Sequence, residues 1–362
     1  MSDHKSQNEE SIGLGILGAA SIARKQLRAL VGKSTLIHVV AIGSRNISKA
    51  QAMIDDFKIT DTATAYGSYE EVLADPRVEA VYIPLPTTLH VEWVCLAAAA
   101  KKHILLEKPI AVTALETDEI IAACTAHNVQ FMDGTMWMHH PRAIKMQKVL
   151  HSGKLGPLRD VQAQFSFPAS TDYQAKDIRF KKNGDPLGAL GDLGWYCIRA
   201  ILWAFDFEAP IEVAAHPGAV FNAEGVPTAI GGTLVFSGGR RGTFTCSFDR
   251  AKTQRLDIGG PGGSISLEDF TIPMDATEAK FKIFFDRWPE GDELAEVIVH
   301  NEKSQELLMW EAFAACVNRV KEGHGVDPKW PAVAALTQKV VSAVAVSAAE
   351  GCTIAHFSQS KF

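Results

Sequence analysis

The feature that most constrains the fold is an alternation of short apolar runs with amphipathic stretches in the first third of the chain. Residues 12–17 predict a buried strand, and residues 21–30 predict a helix that begins directly after a tight turn. The same alternation continues with predicted strands at 38–43, 80–83, 103–106 and 130–132 and predicted helices at 49–57, 91–100 and 114–127. Elements in this order form a doubly wound parallel sheet, the Rossmann arrangement.

The pattern changes after about residue 133. Residues 161–167 alternate apolar with polar side chains, which predicts a half-exposed antiparallel strand. The segments SGGRR at 237–241 and GGPGG at 259–263 each separate two strand-like runs, as hairpin turns do. Helical periodicity returns at 306–320 and 332–349. The second half therefore predicts an α+β domain with an open-faced, mostly antiparallel sheet.

The chain has 362 residues, which exceeds one typical domain and favours two domains that share a cleft. We expect a nucleotide-binding Rossmann domain over residues 1–133, in which 1–11 form a disordered polar leader. Residues 134–362 are expected to form the second domain, which contributes to the substrate site and to dimerisation. The fold class is thus α/β.

Charge and cysteine usage narrow the range of partners. The net charge is −6 and no dense stripe of Lys and Arg occurs, so neither nucleic acid nor an anionic membrane is an expected partner. The six cysteines form no CxxC pair, which argues against a zinc site or a disulfide framework. The leader lacks an apolar core, and residues 331–349 are interrupted by Lys339. We expect a cytoplasmic protein with a small-molecule substrate and no metal.

The glycines near the N-terminus allow two registers of a dinucleotide-binding turn. A search for GxGxxG matches Gly13, Gly15 and Gly18. The first two lie inside the apolar strand, whereas glycines that meet a pyrophosphate must follow the strand, at the helix N-terminus. The register GAASIA at 18–23 meets this requirement, with alanine in the second conserved position. We expect the phosphates to bind there, at Gly18, Ala20, Ser21 and Ile22.

The end of the second strand indicates which dinucleotide is bound. An NAD enzyme usually carries an acid there to hold the ribose 2′-hydroxyl. This chain has Ser44 and Arg45 instead, with Lys49 one helical turn further on and no acid before Asp55. Because a guanidinium makes charge-assisted hydrogen bonds to phosphate, NADP is the expected cofactor.

Three later segments lie where the chemistry is expected. PLPTTLH at 84–90 and EKP at 107–109 each follow a strand, at the carboxyl edge where doubly wound sheets bind ligands. LGALGDLGWY at 187–196 begins a helix, on which Asp192 and Tyr196 share a face. We expect the first two segments to contact the cofactor through Leu85, Pro86, His90, Glu107 and Lys108.

Several segments together resemble the glucose–fructose oxidoreductase/inositol dehydrogenase (Gfo/Idh/MocA) family. The resemblance spans about residues 12–351 and is closest to the branch of NADP-dependent xylose dehydrogenase and dimeric dihydrodiol dehydrogenase. It rests on GAASIARK, VYIPLPTTLH, ILLEKPIA, MDGTMWMHHPR and DPLGALGDLGWYCIRA. It implies that Lys108, Asp192 and Tyr196 are the catalytic group and that the Lys108–Pro109 peptide is cis.

The chemistry of these side chains agrees with that implication. Oxidation of an alcohol removes a hydride and a proton, and a phenol with a nearby cation can carry the proton. Tyr196 is therefore the expected acid/base, with Lys108 as its electrostatic partner and Asp192 orienting the lysine or the substrate. Taken alone, each residue also has a purely structural explanation. Tyr196 could be a buried aromatic residue, Lys108 the end of a strand, and Asp192 an acid near a helix terminus.

The segment that crosses between the domains supplies further substrate candidates. The resemblance places it near the substrate, so Trp137 and one of His139 and His140 are expected in the cleft, with His140 preferred. Arg179 precedes the catalytic helix, where it can clamp an oxygen-rich ligand or pair with Asp177.

The function predicted from these observations is hydride transfer between NADP and a CH–OH or C=O group of a sugar or cyclic polyol. Two alternatives remain open at this point. One is dehydrogenation of a trans-dihydrodiol or reduction of a dicarbonyl, which the aromatic side chains Trp137, Phe165 and Trp195 would suit. The other is an NADP-binding regulatory protein without turnover. The face of the second sheet that lacks helices predicts a homodimer.

Overall fold

The structure, a computed structural model, describes residues 11–285 and 293–357. Except for Ser11, the predicted leader lies outside the described residues. The first half contains a sheet of six parallel strands in the order β3-β2-β1-β4-β5-β6. These strands are β1 Ile12–Leu17, β2 Ile37–Gly43, β3 Thr64–Tyr66, β4 Ala80–Ile83, β5 His103–Leu106 and β6 Phe131–Asp133. The predicted Rossmann arrangement is confirmed.

Five helices connect these strands: α1 Ser21–Leu30, α2 Ile47–Phe57, α3 Tyr69–Ala74, α4 His90–Ala99 and α5 Ala114–His127. Local sequence explains where several begin. Ser68 and Glu71 form a reciprocal capping box at the start of α3, and Thr113 and Glu116 do the same for α5. The strands themselves are apolar on both faces, because helices cover the sheet on both sides.

The second half contains a ten-stranded sheet in the order β15-β14-β13-β12-β7-β11-β10-β8-β16, with β9 paired to β10. Its strands are β7 Asp160–Ser166, β8 Glu212–Ala215, β9 Val220–Phe221, β10 Pro227–Val235, β11 Arg241–Ser247, β12 Thr253–Gly260, β13 Gly263–Leu267, β14 Glu278–Phe285, β15 Glu293–His300 and β16 Ala355–His356. The hairpins predicted at SGGRR and GGPGG are β10–β11 and β12–β13.

Strand β7 departs from the prediction. It pairs antiparallel with β12 but parallel with β11, so it is not the purely antiparallel strand expected from its alternation. Alternating polarity reports that one face of a strand is exposed; it carries no information on the direction of the neighbouring strand. The sheet as a whole is still mostly antiparallel, as expected.

Five helices belong to this half: α6 Pro141–His151, α7 Thr171–Lys176, α8 Trp195–Ala204, α9 Gln305–Lys321 and α10 Lys329–Ala349. A π-helical turn at Leu190–Gly194 leads into α8. By length and composition α10 is able to cross a membrane, but 56% of its most apolar stretch is buried inside the molecule. It packs on β6, β8, α5 and α8, as a core helix does.

Buried polar contacts join the two halves. Arg199 on α8 and Asp133 at the end of β6 form an ion pair with both side chains fully buried, and Arg199 Nε also donates to Thr337 Oγ1 at 2.7 Å. Trp310 Nε1 on α9 donates to Gln26 Oε1 on α1 at 2.8 Å. These contacts hold the start of α8 against the carboxyl edge of the first sheet, where the cavity described next is found.

Candidate active site

A cavity of about 580 Å³ lies between the carboxyl edge of the first sheet and the second half of the chain. Its wall includes the turn before α1, the loop after β4, the EKP segment, the strand β7 and the start of α8. This volume lies within the range typical of small-molecule and cofactor sites. The predicted segments therefore meet in one place.

The glycine turn has the register predicted for it. Gly13 and Gly15 lie within β1, where an added Cβ would overlap the Arg77 carbonyl oxygen and the Val72 side chain, respectively. Gly18 has a φ of 126°, a conformation that favours glycine. Residues 20–22 line the cavity.

Helix α1 starts at this turn without a side-chain cap and without an acid in its first turn. Its first amide groups therefore keep their hydrogen-bonding capacity, and the positive end of the helix dipole faces the cavity. A pyrophosphate fits such a helix N-terminus, and a dinucleotide cofactor fits the site for this reason.

The residues after β2 differ in their exposure. Ser44 is buried, whereas Arg45 and Lys49 are exposed. The N–H of Ser44 donates to Tyr66 O at 3.1 Å, and its Oγ accepts from Asn46 N at 3.3 Å. Burial raises the pKa of Tyr69, and the Arg45 guanidinium, a hydrogen-bond partner of that phenol, opposes the shift. Tyr69 was not identified from the sequence, because the strand before it, β3, has only three residues and shows no clear periodic pattern.

The loop after β4 and the EKP segment surround the middle of the cavity. Leu85, Pro86 and Glu107 line it, but His90 does not. The His90 ring nitrogens lie 3.0 Å from Leu85 O and 3.2 Å from Ile110 O, and burial lowers the His90 pKa to about 4. His90 thus joins the two loops through the backbone instead of reaching the cavity itself.

Lys108 belongs to a cluster of charges centred on Asp192. Its Nζ lies 2.5 Å from Asp192 Oδ1 and 3.0 Å from Asp192 O, and the Lys108–Pro109 peptide is cis as expected. Arg179 Nε lies 2.9 Å from the same Asp192 Oδ1, and Arg179 Nη1 lies 3.0 Å from Asp177 Oδ1. Arg179 therefore belongs to a structural ion pair and lines the cavity at the same time.

The electrostatics of Asp192 follow from these two cations. Burial alone would raise the pKa of the Asp192 carboxyl, but Arg179 and Lys108 outweigh it and hold that pKa well below its usual range. Asp192 is therefore ionised and fixes the ammonium of Lys108 in position.

Tyr196 lies beside this cluster. Lys108 Nζ is 4.8 Å from the centre of the Tyr196 ring, and the phenol oxygen contacts Met136 Sδ at 3.6 Å. Burial raises the Tyr196 pKa well above its ordinary value, and the charges of Glu107 and Asp192 add to the shift. The phenol holds its proton in this state and can give it to a bound oxygen.

Glu107 forms a second buried pair. Tyr82 OH donates to Glu107 Oε1 at 2.6 Å, and burial raises the pKa of the Glu107 carboxyl. This contact joins β4 to the loop after β5 and keeps Glu107 at the cavity wall.

The interdomain aromatic and histidine side chains lie elsewhere. Trp137 packs edge-to-face on Trp203 and lines a separate small cavity together with His140, which caps α6 by accepting from Arg142 N at 2.9 Å. His139 stacks on Trp330 with the ring centres 4.8 Å apart. None of Trp137, His139 and His140 lines the main cavity, because the 3₁₀ turn at Met136–His139 directs them into the core.

Several cavity residues were not singled out from the sequence. Two of them, Phe167 and Tyr173, form an aromatic wall together with Phe165, which the sequence did single out. Asp185 is buried at the same wall. Phe167, Tyr173 and Asp185 all lie in the stretch between β7 and α8, and which of these side chains points inward depends on the turns in that stretch.

The fold and this site define a two-part oxidoreductase with a dinucleotide-binding half. Residues 12–135 match the oxidoreductase family with an NAD-binding Rossmann fold, GFO/IDH/MocA, and residues 143–266 match the GFO/IDH/MocA C-terminal domain. The chain belongs to the GFO/IDH/MocA family.

Named relatives act on different substrates. An NADP⁺-dependent D-xylose 1-dehydrogenase of Haloferax volcanii is 35% identical over 73% of this chain and 78% of its own length. A mouse trans-1,2-dihydrobenzene-1,2-diol dehydrogenase is 31% identical over 72% of this chain and 76% of its own length. The solved structure of a 3-ketoreductase from Actinomadura kijaniata with NADP and TDP-benzene superposes with a TM-score of 0.80, at 26% identity, over 93% of this chain and 98% of that one.

Proposed function

We propose that this protein is an NADP-dependent oxidoreductase that interconverts a CH–OH and a C=O group of a sugar or cyclic polyol. The observation that carries the proposal is the position of Lys108 Nζ, which bonds to Asp192 and faces the Tyr196 ring in the cavity that the glycine turn opens into. The D-xylose 1-dehydrogenase, which is named as NADP⁺-dependent, and the 3-ketoreductase that was solved with NADP support it.

The cofactor half of the proposal rests on the first sheet. Gly18, Ala20, Ser21 and Ile22 would hold the pyrophosphate, and Ser44, Arg45 and Lys49 the 2′-phosphate. Tyr69 supports Arg45 in this role. When bound, NADP supplies the nicotinamide ring that accepts or donates the hydride.

The proton is carried by the chain itself. In the reductive direction Tyr196 OH donates its proton to the substrate oxygen as the carbonyl carbon gains hydride, and in the oxidative direction the phenolate takes the proton from the hydroxyl. Lys108 stabilises the phenolate through its positive charge, and Asp192 holds Lys108 in place. Arg179 would orient substrate oxygens from the opposite side of Asp192.

The chain is further proposed to consist of a cofactor domain over 1–133 and a substrate domain over 134–362, in a cytoplasmic homodimer. The cysteines form no disulfide among the described residues, which suits a reducing compartment. Within the described part of the chain, one face of the ten-stranded sheet carries no helix. It displays polar side chains at its centre and apolar Phe284, Leu294 and Ile298 at its edge. Stacking this face on its copy buries it, with the cavities turned outward.

A second candidate is oxidation of an aromatic trans-dihydrodiol or reduction of a dicarbonyl. The aromatic wall of Phe165, Phe167 and Tyr173 favours it, since flat apolar rings pack against such a wall. The mouse dihydrodiol dehydrogenase supports it as well. A regulatory NADP-binding protein without turnover has less support, because binding alone does not require the Lys108, Asp192 and Tyr196 group.

The deciding experiment follows absorbance of NADPH with a panel of pentoses, hexoses, inositols and dihydrodiols. Turnover of a sugar or inositol supports the first candidate, and turnover confined to dihydrodiols supports the second. Tight NADP binding without turnover of any of these compounds, or of dicarbonyls in reverse, would favour the regulatory reading. NAD in place of NADP is the control for cofactor choice.

A further inference from the structure

Asp185 is a buried carboxyl group that the mechanism above does not use. It lies between the 3₁₀ turn Ile178–Phe180 and the π-helical turn that leads into α8. Its backbone N–H donates to Ile178 O and to Lys181 O, both at 3.1 Å. Its side chain lines the main cavity and the residue is only 4% exposed. The carboxyl group therefore belongs to the active-site wall.

The surroundings of Asp185 leave one oxygen without a partner. Oδ1 is buried and accepts no hydrogen bond from the described residues. It faces the backbone of Gly191, where a Cβ would lie 3.3 Å from this oxygen. A buried carboxylate with an unpartnered oxygen costs more free energy than the protonated acid in the same place.

The charged groups that face Asp185 come from three elements. Asp192 lies on the π-helical turn, Lys108 on the loop after β5, and Arg179 on the 3₁₀ turn. Both cations bond to Asp192, Lys108 at 2.5 Å and Arg179 at 2.9 Å. Neither of these two cations therefore forms its ion pair with Asp185. Burial and the charge of Asp192 raise the Asp185 pKa to about 7, against the opposing effect of Lys108 and Arg179.

We propose that Asp185 is a positioning residue that acts on Tyr196 through the cluster of Lys108, Asp192 and Arg179, and that its ionisation weakens the effect of the two cations on the phenol. While Asp185 is neutral, the two cations keep their full effect on the Tyr196 phenolate. Ionisation of Asp185 adds a negative charge to the cluster and weakens that effect. This inference rests on the proposed role of Tyr196.

The first test compares kcat of the wild type and Asp185→Asn for alcohol oxidation over the pH range. Asparagine keeps the shape and stays neutral. The ratio of variant to wild type is expected to be near one at about pH 6 and to rise to roughly tenfold at about pH 9, because only the wild type gains the charge. A ratio that does not change with pH overturns the proposal.

Asp177→Asn is the matched control. Asp177 lines the same cavity and pairs with Arg179 at 3.0 Å, so its replacement also removes a carboxyl group from this wall. Asp177 differs from Asp185 in having a guanidinium partner of its own. The ratio for this variant is therefore expected to be flat, and a rise equal to that of Asp185→Asn would count against a specific role for Asp185.

The second test needs no turnover. Side-chain carboxyl carbons are followed by NMR in the wild-type protein labelled with ¹³C-aspartate. One buried carboxyl is expected to titrate near pH 7, and its signal should be absent from Asp185→Asn. Without such a titration the inference fails whatever the substrate is. If the titration is present but the compounds of the panel are not turned over, the failure lies with the proposed function.

Discussion

The ammonium of Lys108 lies 4.8 Å from the centre of the Tyr196 ring while it bonds to Asp192 Oδ1 at 2.5 Å. Asp192 thus fixes the cation, and the cation faces the phenol. The three side chains come from the loop after β5 and from the start of α8, two elements that only the tertiary fold brings together.

Replacing Tyr196 with phenylalanine removes the proton carrier and keeps the ring. Turnover is expected to fall by about 10²–10⁴-fold, while the Kd for NADP measured by fluorescence stays near the wild-type value. Tyr173→Phe is the control, since Tyr173 lines the same cavity and its hydroxyl accepts from Arg179 at 3.3 Å. Near-native turnover of Tyr196→Phe on the true substrate would rule out the assigned role.

Replacing Lys108 with alanine should affect both steps. The lysine stabilises the phenolate and lies beside the expected position of the nicotinamide ribose, so kcat should fall and the Kd for NADP should rise. Lys252→Ala serves as the control, because Lys252 is an exposed lysine at the wall of the same cavity. A loss of turnover with unchanged cofactor affinity would contradict the second half of this prediction.

Arg45→Ala should reduce the preference for NADP over NAD. Loss of a charged hydrogen bond to the 2′-phosphate costs about 1.5–3 kcal/mol, which is roughly tenfold to a hundredfold in relative Kd. Tyr69→Phe should narrow the preference less, since it removes only the support of Arg45. Arg24→Ala is the control, because Arg24 pairs with Asp56 at 2.5 Å on the outside of the same half. Equal affinity of the wild type for both cofactors would refute the assignment.

The dimer is tested at the centre of the open face. Gln164 and Thr245 are direct neighbours on β7 and β11, with side chains on the face without helices. Arginine at both positions places like charges against each other across a two-fold axis, so light scattering should report a monomer for this variant and a dimer for the wild type. Leu115→Arg, at an exposed position of α5, should remain dimeric. A wild-type protein that is monomeric at micromolar concentration would refute the homodimer.

Asp185 also predicts a pH dependence of stability. Its pKa of about 7 in the folded state exceeds the ordinary value of 3.8, so between these values the native state binds more protons than the unfolded state. Its contribution to stability therefore declines as the pH rises from about 4 to about 7, by up to about 1.4 kcal/mol per unit. The Tm of Asp185→Asn relative to wild type should rise across this window and level off above it. A difference in Tm that is constant over the window would contradict the prediction.

Much of the first half could be predicted from local sequence. Strand β1 and helix α1 have the predicted bounds, because an apolar run, a glycine turn and an amphipathic stretch follow each other without ambiguity. The same local reasoning excluded Gly13 and Gly15 as phosphate-binding glycines, since residues inside a buried strand cannot meet a ligand at the helix N-terminus.

The direction of strand pairing and the direction of core side chains needed the tertiary structure. Alternation at β7 predicted a strand but not its parallel pairing with β11. Trp137 and His140 were expected in the cleft on the strength of their position in the chain, yet the turn that holds them directs both into the core.

The sequence by itself thus determined the order of elements, the register of the glycine turn and the residues that could carry the chemistry, because these depend on neighbours along the chain. Only the tertiary structure decided that Lys108 and Arg179 both bond to Asp192, and that Asp185 is left beside them without a cation. Those relationships depend on burial and on distances between distant segments. Charge interactions in a buried site are set by such distances, which no local pattern encodes.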